Sequence, residues 1–192
     1  MTSPEISTEE STTKVIGVAD CVTSADPADS LATFALGSCI AVVMYDPAAR
    51  VGGLLHFLLP DCSLDAARGR SNPLVYADTG IEILVERCLQ DGARKPRLAV
   101  FAVGGANVIA DGGFFDIGRR NYVSCRKALW KFGLHIHAEV LGGALSRSVR
   151  IDIATGKVWI REDGGPSVEL VPAGKKGHDS RAPRYKAPER VS

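Results

Sequence analysis

Residues 31–59 read LATFALGSCIAVVMYDPAARVGGLLHFLL, and this stretch decides the fold. Its first apolar run enters a Gly-Ser turn just before Cys39, and two further apolar runs flank the dipeptide Asp46-Pro47. Apolar runs of this length separated by turn residues are typical of paired strands. We therefore predict a strand that ends in a sharp turn, followed by a β-hairpin over residues 39–59.

Beyond this hairpin, strand patterns outnumber helix patterns. In chain order, we predict a strand at 14–18, a polar loop at 61–74, a helix at 76–90, a strand at 97–103, a helix at about 117–132 ended by Gly133, a strand at 134–141, and hairpin strands at 149–153 and 157–160. Strands and helices do not alternate regularly. The pattern therefore favours an α/β protein with a mixed sheet and helices packed outside over a dinucleotide-binding fold.

Composition indicates one globular domain of ordinary character. Of the 192 residues, 45% are apolar and the formal net charge is +1. We predict a disordered tail over residues 1–13, a domain over 14–171 and a basic disordered tail over 172–192. The balanced charge argues against nucleic acid as the main partner. No apolar run reaches the ~18 residues of a membrane span, so no membrane insertion is predicted.

Cysteine usage indicates the compartment. Five cysteines without a C-x-x-C pair, in a chain with no recognisable secretory signal, predict free thiols in a reducing cytoplasm. No close pair of cysteine ligands suggests a zinc site, and we predict no metal and no cofactor. His135 and His137 alternate along one predicted strand and leave a metal-binding pair open as a weaker alternative.

Cys39 and His56 are the residues that could carry chemistry. Cys39 follows the Gly-Ser turn, where a side chain can be presented outward beside free backbone amides. If the hairpin strands pair symmetrically about a turn near 46–50, Cys39 faces His56 directly across the two strands. A thiol of ordinary pKa ~8.5 needs such a base to become a nucleophile. Lone cysteine and histidine residues are more often structural, so on these residues alone both interpretations stay open.

Paired glycines have a simpler interpretation. Gly104-Gly105 and Gly112-Gly113 lack the spacing of a phosphate-binding or dinucleotide-binding loop. We expect them to let one backbone segment pass close to another.

The segment TFALGSCIAV, residues 33–42, resembles the T-x-x-L-G-S-C-V signature of the CheD family of chemoreceptor glutamine deamidases. Further matches to that family follow in order from about residue 15 to 162; they are GLLHFLLP at 53–60, YAD at 76–78, GGA at 104–106, Ile117-Gly118 with Asn121, Gly142-Gly143 with Arg147, and Thr155-Gly156.

This resemblance implies a site and a reaction. The family's catalytic cysteine, histidine and threonine correspond to Cys39, His56 and Thr33, and we expect backbone support for an oxyanion from Gly37 and Ser38. The implied reaction converts receptor glutamines to glutamates and releases ammonia through a glutamyl thioester. The implied fold is layered and β-sandwich-like, similar to that of toxin-type cysteine deamidases.

The implied substrates are methyl-accepting chemotaxis receptors, whose cytoplasmic part is a helical bundle. A CheC-type phosphatase is a further implied partner. Two alternatives stay open at this point. One is an adaptor that binds receptor or phosphatase with secondary or no catalysis; the other is a general cysteine peptidase or amidase.

Overall fold

Ten strands form two five-stranded sheets in the computed structural model, which describes residues 12–107 and 116–172. The first sheet contains, in spatial order, β1 (Thr12–Val15), β3 (Asp29–Leu36), β8 (Arg147–Asp152), β9 (Val158–Glu162) and β10 (Ser167–Glu169). The second contains β2 (Asp20–Ser24), β5 (Val51–Phe57), β4 (Ile40–Asp46), β6 (Ala99–Gly104) and β7 (Ala138–Leu141). Each sheet has one parallel pair, β1 with β3 and β6 with β7, so both sheets are mixed.

Three α-helices connect these strands, α1 (Ala66–Ser71), α2 (Ala77–Gln90) and α3 (Ile117–Lys131). Short 3₁₀ turns lie at Cys62–Leu64, Pro73–Val75 and Lys95–Arg97. The predicted polar loop at 61–74 was therefore wrong. Short polar side chains start helical turns there, because the Asp61 carboxylate accepts from the amide of Ser63 and the Asp65 carboxylate from that of Arg68.

The molecule has three layers. Leu31, Leu36 and Ile151 of the first sheet pack against Leu54 and Val103 of the second. The other face of the second sheet is covered by the helices, where buried residues of α2 and α3 pack on those of β4 and β5; they are Ile81, Leu84, Cys88, Cys125, Leu129, Val42, Met44 and Phe57. The predicted fold class, a layered mixed sheet with helices outside, is confirmed. The similarity to toxin-type deamidases stays a prediction.

The hairpin of β4 and β5 forms as predicted, but its register differs by two residues. Ala41 pairs with His56 and Ile40 with Phe57, so the predicted direct pairing of Cys39 with His56 is wrong. The turn lies later because Asp46 still belongs to the strand and pairs with Val51.

Asp46 has a structural reason to stay in the strand. Its fully buried carboxylate accepts from the amides of Ala48, Ala49 and Arg94 and from the guanidinium of Arg97 at 2.7 Å. Although burial raises the pKa of Asp46, these donors hold it at about 2. A charged, fully bonded Asp46 thus anchors the turn at the end of the hairpin remote from Cys39.

Several strands begin at other residues than the sequence predicted. Strand β1 begins at Thr12, two residues before the predicted domain start, and β7 begins at Ala138 rather than 134. Strand β2 was not predicted. Gly133 has a φ of 69° just after α3, as predicted for a helix end. Most of the predicted tails, residues 1–11 of the predicted 1–13 and 173–192 of the predicted 172–192, lie outside the described residues, as does the Gly112-Gly113 pair.

Candidate active site

Cys39 lies in the bend between β3 and β4, half-buried, with its side chain against the core between the two sheets. The carbonyls of this bend all accept hydrogen bonds. The amide of Ala106 donates to Gly37 at 2.7 Å, and the amide of Gly105 donates to Cys39 at 2.8 Å. The bend is therefore a fixed platform that presents the thiol at one rim of the sandwich.

Glycine is required beneath this platform. Gly104 has a φ of 121°, in the region that side-chain-bearing residues rarely adopt, and a Cβ built on it would overlap the carbonyl oxygen of Cys39. The predicted role of this glycine pair, close passage of two backbone segments, is confirmed.

His56 lies near the end of β5 and is 2% exposed. It pairs with Ala41, and both side chains face the space between the sheets, as Leu54 does. Cys39 precedes Ala41 by two residues and packs on the same core, so Cys39 and His56 are diagonal neighbours on one face of the hairpin. The structure thus places both predicted residues on one face, through a different register from the one predicted.

Thr33 joins His56 from the facing sheet. Its hydroxyl oxygen lies 2.9 Å from Nδ1 of His56 and donates its proton to the carbonyl of Ile16 at 2.9 Å. A hydroxyl has one proton, and a carbonyl can only accept. The Thr33 oxygen must therefore accept from Nδ1–H of His56, which leaves Nε2 as the nitrogen with a free lone pair.

A bulge in β3 allows this placement of Thr33. Thr33 pairs with Val149 and Leu36 with Arg147, so β3 has one residue more than β8 over this step. The extra residue is accommodated with Ala35 at a φ of 57°, and the side chains at 34 and 35 are exposed. Both Thr33 and Leu36 consequently point inward on either side of the bulge.

Burial sets the protonation states at the site. It lowers the pKa of His56 to about 4 and raises the pKa of Cys39, a rise that the cysteine's own backbone amide partly opposes. Both shifts favour the uncharged forms, so near neutral pH the pair is a thiol and a neutral imidazole. Nε2 of His56 is buried and has no hydrogen-bond partner in the described part of the chain, so it is free to take a proton.

The backbone amides of Gly37, Ser38 and Cys39 lie next to the thiol and are not used in bonds between described residues. None of these amides donates to another residue within 12–107 and 116–172, although the carbonyls of the same three residues accept hydrogen bonds. Amides of this kind next to a nucleophile can stabilise an oxyanion. This arrangement is compatible with the support predicted from Gly37 and Ser38.

Asn121 of α3 is a residue to which the sequence analysis gave no role. Its side-chain Nδ2 donates to the carbonyls of Ser38 and Leu58, each at 2.9 Å, and the residue is fully buried. One amide group therefore ties the bend that carries Cys39 to the end of the strand that carries His56. One sequence feature could have predicted a role for this residue. It lies four positions before Cys125, which places a polar side chain on the apolar face of the predicted helix.

Arg147 holds the neighbouring loop. Its guanidinium donates to the carbonyl of Gly142 at 2.6 Å and forms an ion pair with Glu162 at 2.8 Å. Because Gly142 also donates to the carbonyl of Gly104, this network supports the glycine pair beneath Cys39.

The weaker candidates lie apart from this constellation. The rings of His135 and His137 stack with centroids 4.4 Å apart, and Nδ1 of His137 accepts from the amide of Val100. No cluster of three or more His, Cys, Asp or Glu residues suited to a metal occurs among the residues described. Nor do the described helices include one long and apolar enough to cross a membrane.

Comparison with known proteins gives consistent matches. Residues 58–162 match the family model described as CheD chemotactic sensory transduction. The chain is 49% identical over 159 residues to a probable chemoreceptor glutamine deamidase CheD of Solibacter usitatus, covering 83% of this chain and 94% of the relative. It is 40% identical over 153 residues to the chemoreceptor glutamine deamidase CheD of Thermotoga maritima, covering 79% and 93%.

A solved structure was also compared. Bacillus licheniformis hypothetical protein YfiH aligns with 65% of this chain and 49% of its own, at 13% identity and a TM-score of 0.38.

Proposed function

This chain belongs to the CheD family, and we propose that it deamidates glutamine side chains of methyl-accepting chemotaxis receptors, with Cys39 as nucleophile, His56 as general acid–base and Thr33 as the residue that orients His56. Each reaction converts a carboxamide and water into a carboxylic acid and ammonia. A cytoplasmic location and the receptor's cytoplasmic domain as substrate are part of this proposal.

The observation that supports this proposal best is the state of the His56 ring. Thr33 accepts from Nδ1–H at 2.9 Å, and Nε2 is buried without a partner among the described residues. A neutral imidazole with its free lone pair on the nitrogen opposite Thr33 is the form required of a general base. The diagonal placement of Cys39 on the same face makes its thiol the proposed proton donor.

In the first half of the reaction, Nε2 of His56 takes the proton of Cys39 as the sulfur attacks the carboxamide carbon of the glutamine. The carbon–sulfur bond forms and the carbonyl oxygen becomes an oxyanion, to which the amides at 37–39 can donate. His56 then returns the proton to the departing nitrogen. Ammonia leaves, and a glutamyl thioester remains on Cys39.

In the second half, water attacks the thioester carbon while Nε2 of His56 takes one of its protons. The carbon–sulfur bond breaks, the sulfur recovers the proton from His56, and glutamate is released. The reacting groups are uncharged at the start of each half. This fits the effect of burial, which lowers the pKa of His56 and raises that of Cys39.

A CheC-type phosphatase is a second proposed partner, carried over from the family. A partner that competes for the same rim would lower deamidation of the receptor, and titration of that phosphatase into the assay tests this part of the proposal.

Intact-mass spectrometry of a receptor cytoplasmic domain tests the reaction. Wild-type protein is expected to add ~1 mass unit per modified glutamine and to leave the backbone uncut. Cys39→Ala is expected to abolish the gain. Cys62→Ala is the matched control, because Cys62 is also a partly buried free thiol, and it should retain activity.

Three outcomes would contradict the proposal. Persistence of the mass gain in Cys39→Ala would exclude Cys39 as nucleophile. Fragments of the receptor would indicate a peptidase, and tight binding with no mass change would indicate an adaptor.

A further inference from the structure

The outward face of α3 combines basic and apolar side chains that are exposed in the described part of the chain. Every residue of this face, which we call the α3 face, is exposed; its members are Arg119, Arg120, Val123, Lys127, Trp130 and Lys131. Trp130 is 78% exposed and Val123 58%. These two lie seven positions apart, two helical turns, so they line up along one side of the helix.

The α3 face is strongly positive. From Ile117 to Lys131, α3 contains five basic residues and no acidic one, and four of the five lie on this face. The fifth, Arg126, is already engaged with the ring and hydroxyl of Tyr122. Within the described residues, no salt bridge reaches the four cations of the face.

Two of these cations, Lys127 and Arg120, lie close enough to the carboxylate of Asp61 to influence it. The pKa of Asp61 is lowered mainly by a hydrogen bond from Ser63, and to a smaller extent by Lys127 and Arg120. Asp61 lies just after the end of β5, which carries His56. The cations of the α3 face therefore extend toward the rim where the candidate site lies.

The same helix is built into the candidate site. Asn121, between two residues of the face in sequence, holds the carbonyl of Ser38 beside Cys39. The α-carbon of Gly118 approaches the backbone of Gly105 so closely that a side chain there would overlap it. A partner on the α3 face would thus begin its contact within one helical turn of the catalytic bend.

We propose that the α3 face docks an acidic helical segment of the protein substrate, beside the segment that offers its glutamine to Cys39. This proposal rests on the proposed function and adds where and by what chemistry the substrate is recognised. The four cations complement carboxylates, and Val123 and Trp130 match an apolar stripe at helical spacing. Each deamidation also creates a new carboxylate on the substrate, which a positive surface attracts.

A protein helix is favoured over a lipid surface as the occupant. A helix that lies in a membrane interface buries a broad apolar face in lipid. The apolar face of α3, with Cys125, Ala128 and Leu129, is instead buried in the protein core. Only Val123 and Trp130 remain to be covered, which fits a narrow contact with one helix.

Charge reversal and truncation on the α3 face test the proposal in the full-length chain. We expect Lys127→Glu and Trp130→Ala each to raise KM for the receptor cytoplasmic domain by about tenfold, because Trp is enriched among the residues that dominate such contacts and a reversed charge repels an acidic partner. The kcat at saturation and the rate on a short glutamine peptide should stay at wild-type values. Added salt should raise KM for the wild type and change it less for Lys127→Glu.

Two matched valine substitutions test whether the loss of any exposed valine would have the same effect. Val123→Ser should raise KM for the receptor domain, whereas Val168→Ser, at a valine of 54% exposure on β10, should leave it unchanged. Equal effects of the two valine variants would overturn the proposal. An equal loss on the short peptide would do so too, because the α3 face would then act on the site itself.

Two further outcomes separate this proposal from others. If Trp130→Ala and Lys127→Glu bind the receptor domain as wild type does but no longer bind vesicles containing phosphatidylglycerol, the face recognises lipid and the proposal is wrong. If wild-type protein binds the receptor domain through the α3 face yet adds no mass to it, the docking proposal stands and the proposed deamidation fails.

Discussion

The hydroxyl oxygen of Thr33 lies 2.9 Å from Nδ1 of His56, and its own proton goes to the carbonyl of Ile16. The two residues come from different sheets, since Thr33 is on β3 and His56 on β5. This contact selects the tautomer with the proton on Nδ1 and leaves Nε2 without a partner among the described residues, as the nitrogen that we propose acts on the thiol. Thr33 carries no charge, so it orients the ring without raising the pKa of His56 as a carboxylate would.

Replacing the Thr33 hydroxyl tests this orienting role. Thr33→Val keeps the shape of the side chain but cannot accept from Nδ1–H, so both tautomers of His56 become accessible. We expect kcat to fall by about 100-fold, the low end of what proton transfer contributes. Thr33→Ser keeps the hydroxyl and should retain most activity; equal losses in both variants would show that packing, not the hydrogen bond, matters.

The pH dependence of activity follows from burial of His56. Its pKa of about 4 lies below the usual value of 6.5, so the neutral base predominates at all pH values above about 4. We expect kcat/KM to stay level as pH falls from 7 toward 5 and to decline only below that. A decline centred near pH 6.5 would mean that the ring titrates as an exposed histidine does.

The same pKa shift predicts a pH dependence of stability. In the unfolded chain His56 takes up a proton below pH ~6.5, whereas in the folded protein it resists protonation until about pH 4. The folded state therefore loses stability as pH falls through this window, by on the order of 3 kcal/mol at most. Urea unfolding should show a smaller loss over the same range in His56→Gln, which has no titrating group.

Alkylation kinetics distinguish a neutral pair from a preformed ion pair. Burial raises the pKa of Cys39, so its thiolate fraction should keep rising above pH 8.5. We expect the rate of iodoacetamide labelling at Cys39, followed by peptide mass spectrometry, to increase through that range. A plateau already reached near pH 6 would contradict the general-base mechanism, because it would show a stable thiolate beside an imidazolium.

Asn121 should act as a positioning residue. Asn121→Ser is too short to reach both Ser38 and Leu58, so their carbonyls lose a shared donor. We expect kcat to fall by at least about tenfold and the unfolding free energy to fall by about 1–3 kcal/mol. The labelling rate of Cys39 in the folded variant gives a second measurement, which should change if the bend moves.

The labelling rate of Cys39 also distinguishes a positioning role of Asn121 from a purely structural one. A variant that is less stable but keeps wild-type kcat and Cys39 labelling would restrict Asn121 to a purely structural role.

Substitutions at two glycines with similar φ values distinguish the cost of backbone strain from the cost of steric overlap. Gly104 and Gly92 have φ values of 121° and 103°, but only at Gly104 would a Cβ meet another atom, the carbonyl oxygen of Cys39. Gly92→Ala should cost about 1–2 kcal/mol through backbone strain alone. Gly104→Ala should cost more and also lower kcat; equal effects in both variants would remove the overlap argument.

Local patterns in the sequence predicted the elements that short-range physics controls. The spacing of Ile81, Leu84 and Cys88 predicted α2, since apolar residues at helical intervals must share one buried face. Gly133 predicted the end of α3, because glycine adopts a positive φ without steric strain. The turn at Asp46-Pro47 predicted the hairpin of β4 and β5.

The register of that hairpin could not be predicted from the turn alone. Asp46 stays in its strand because Arg94 and Arg97, some fifty residues away, donate to its carboxylate. This shifts the pairing of β5 by two residues and places Ala41, not Cys39, opposite His56. The role of Asn121 was hidden for the same reason, since its two acceptors are 83 and 63 residues distant in sequence.

By itself, the sequence determined most of the strands, the two long helices, and the resemblance that singled out Thr33, Cys39 and His56, because side-chain periodicity, turn residues and motifs are properties of neighbouring positions. Among the described residues, only the tertiary structure decided which nitrogen of His56 has no partner, how the bend at Cys39 is fixed and which face of α3 is exposed. Each of these depends on hydrogen bonds or burial between segments far apart in the chain, and such contacts exist only once both sheets and the helices have packed.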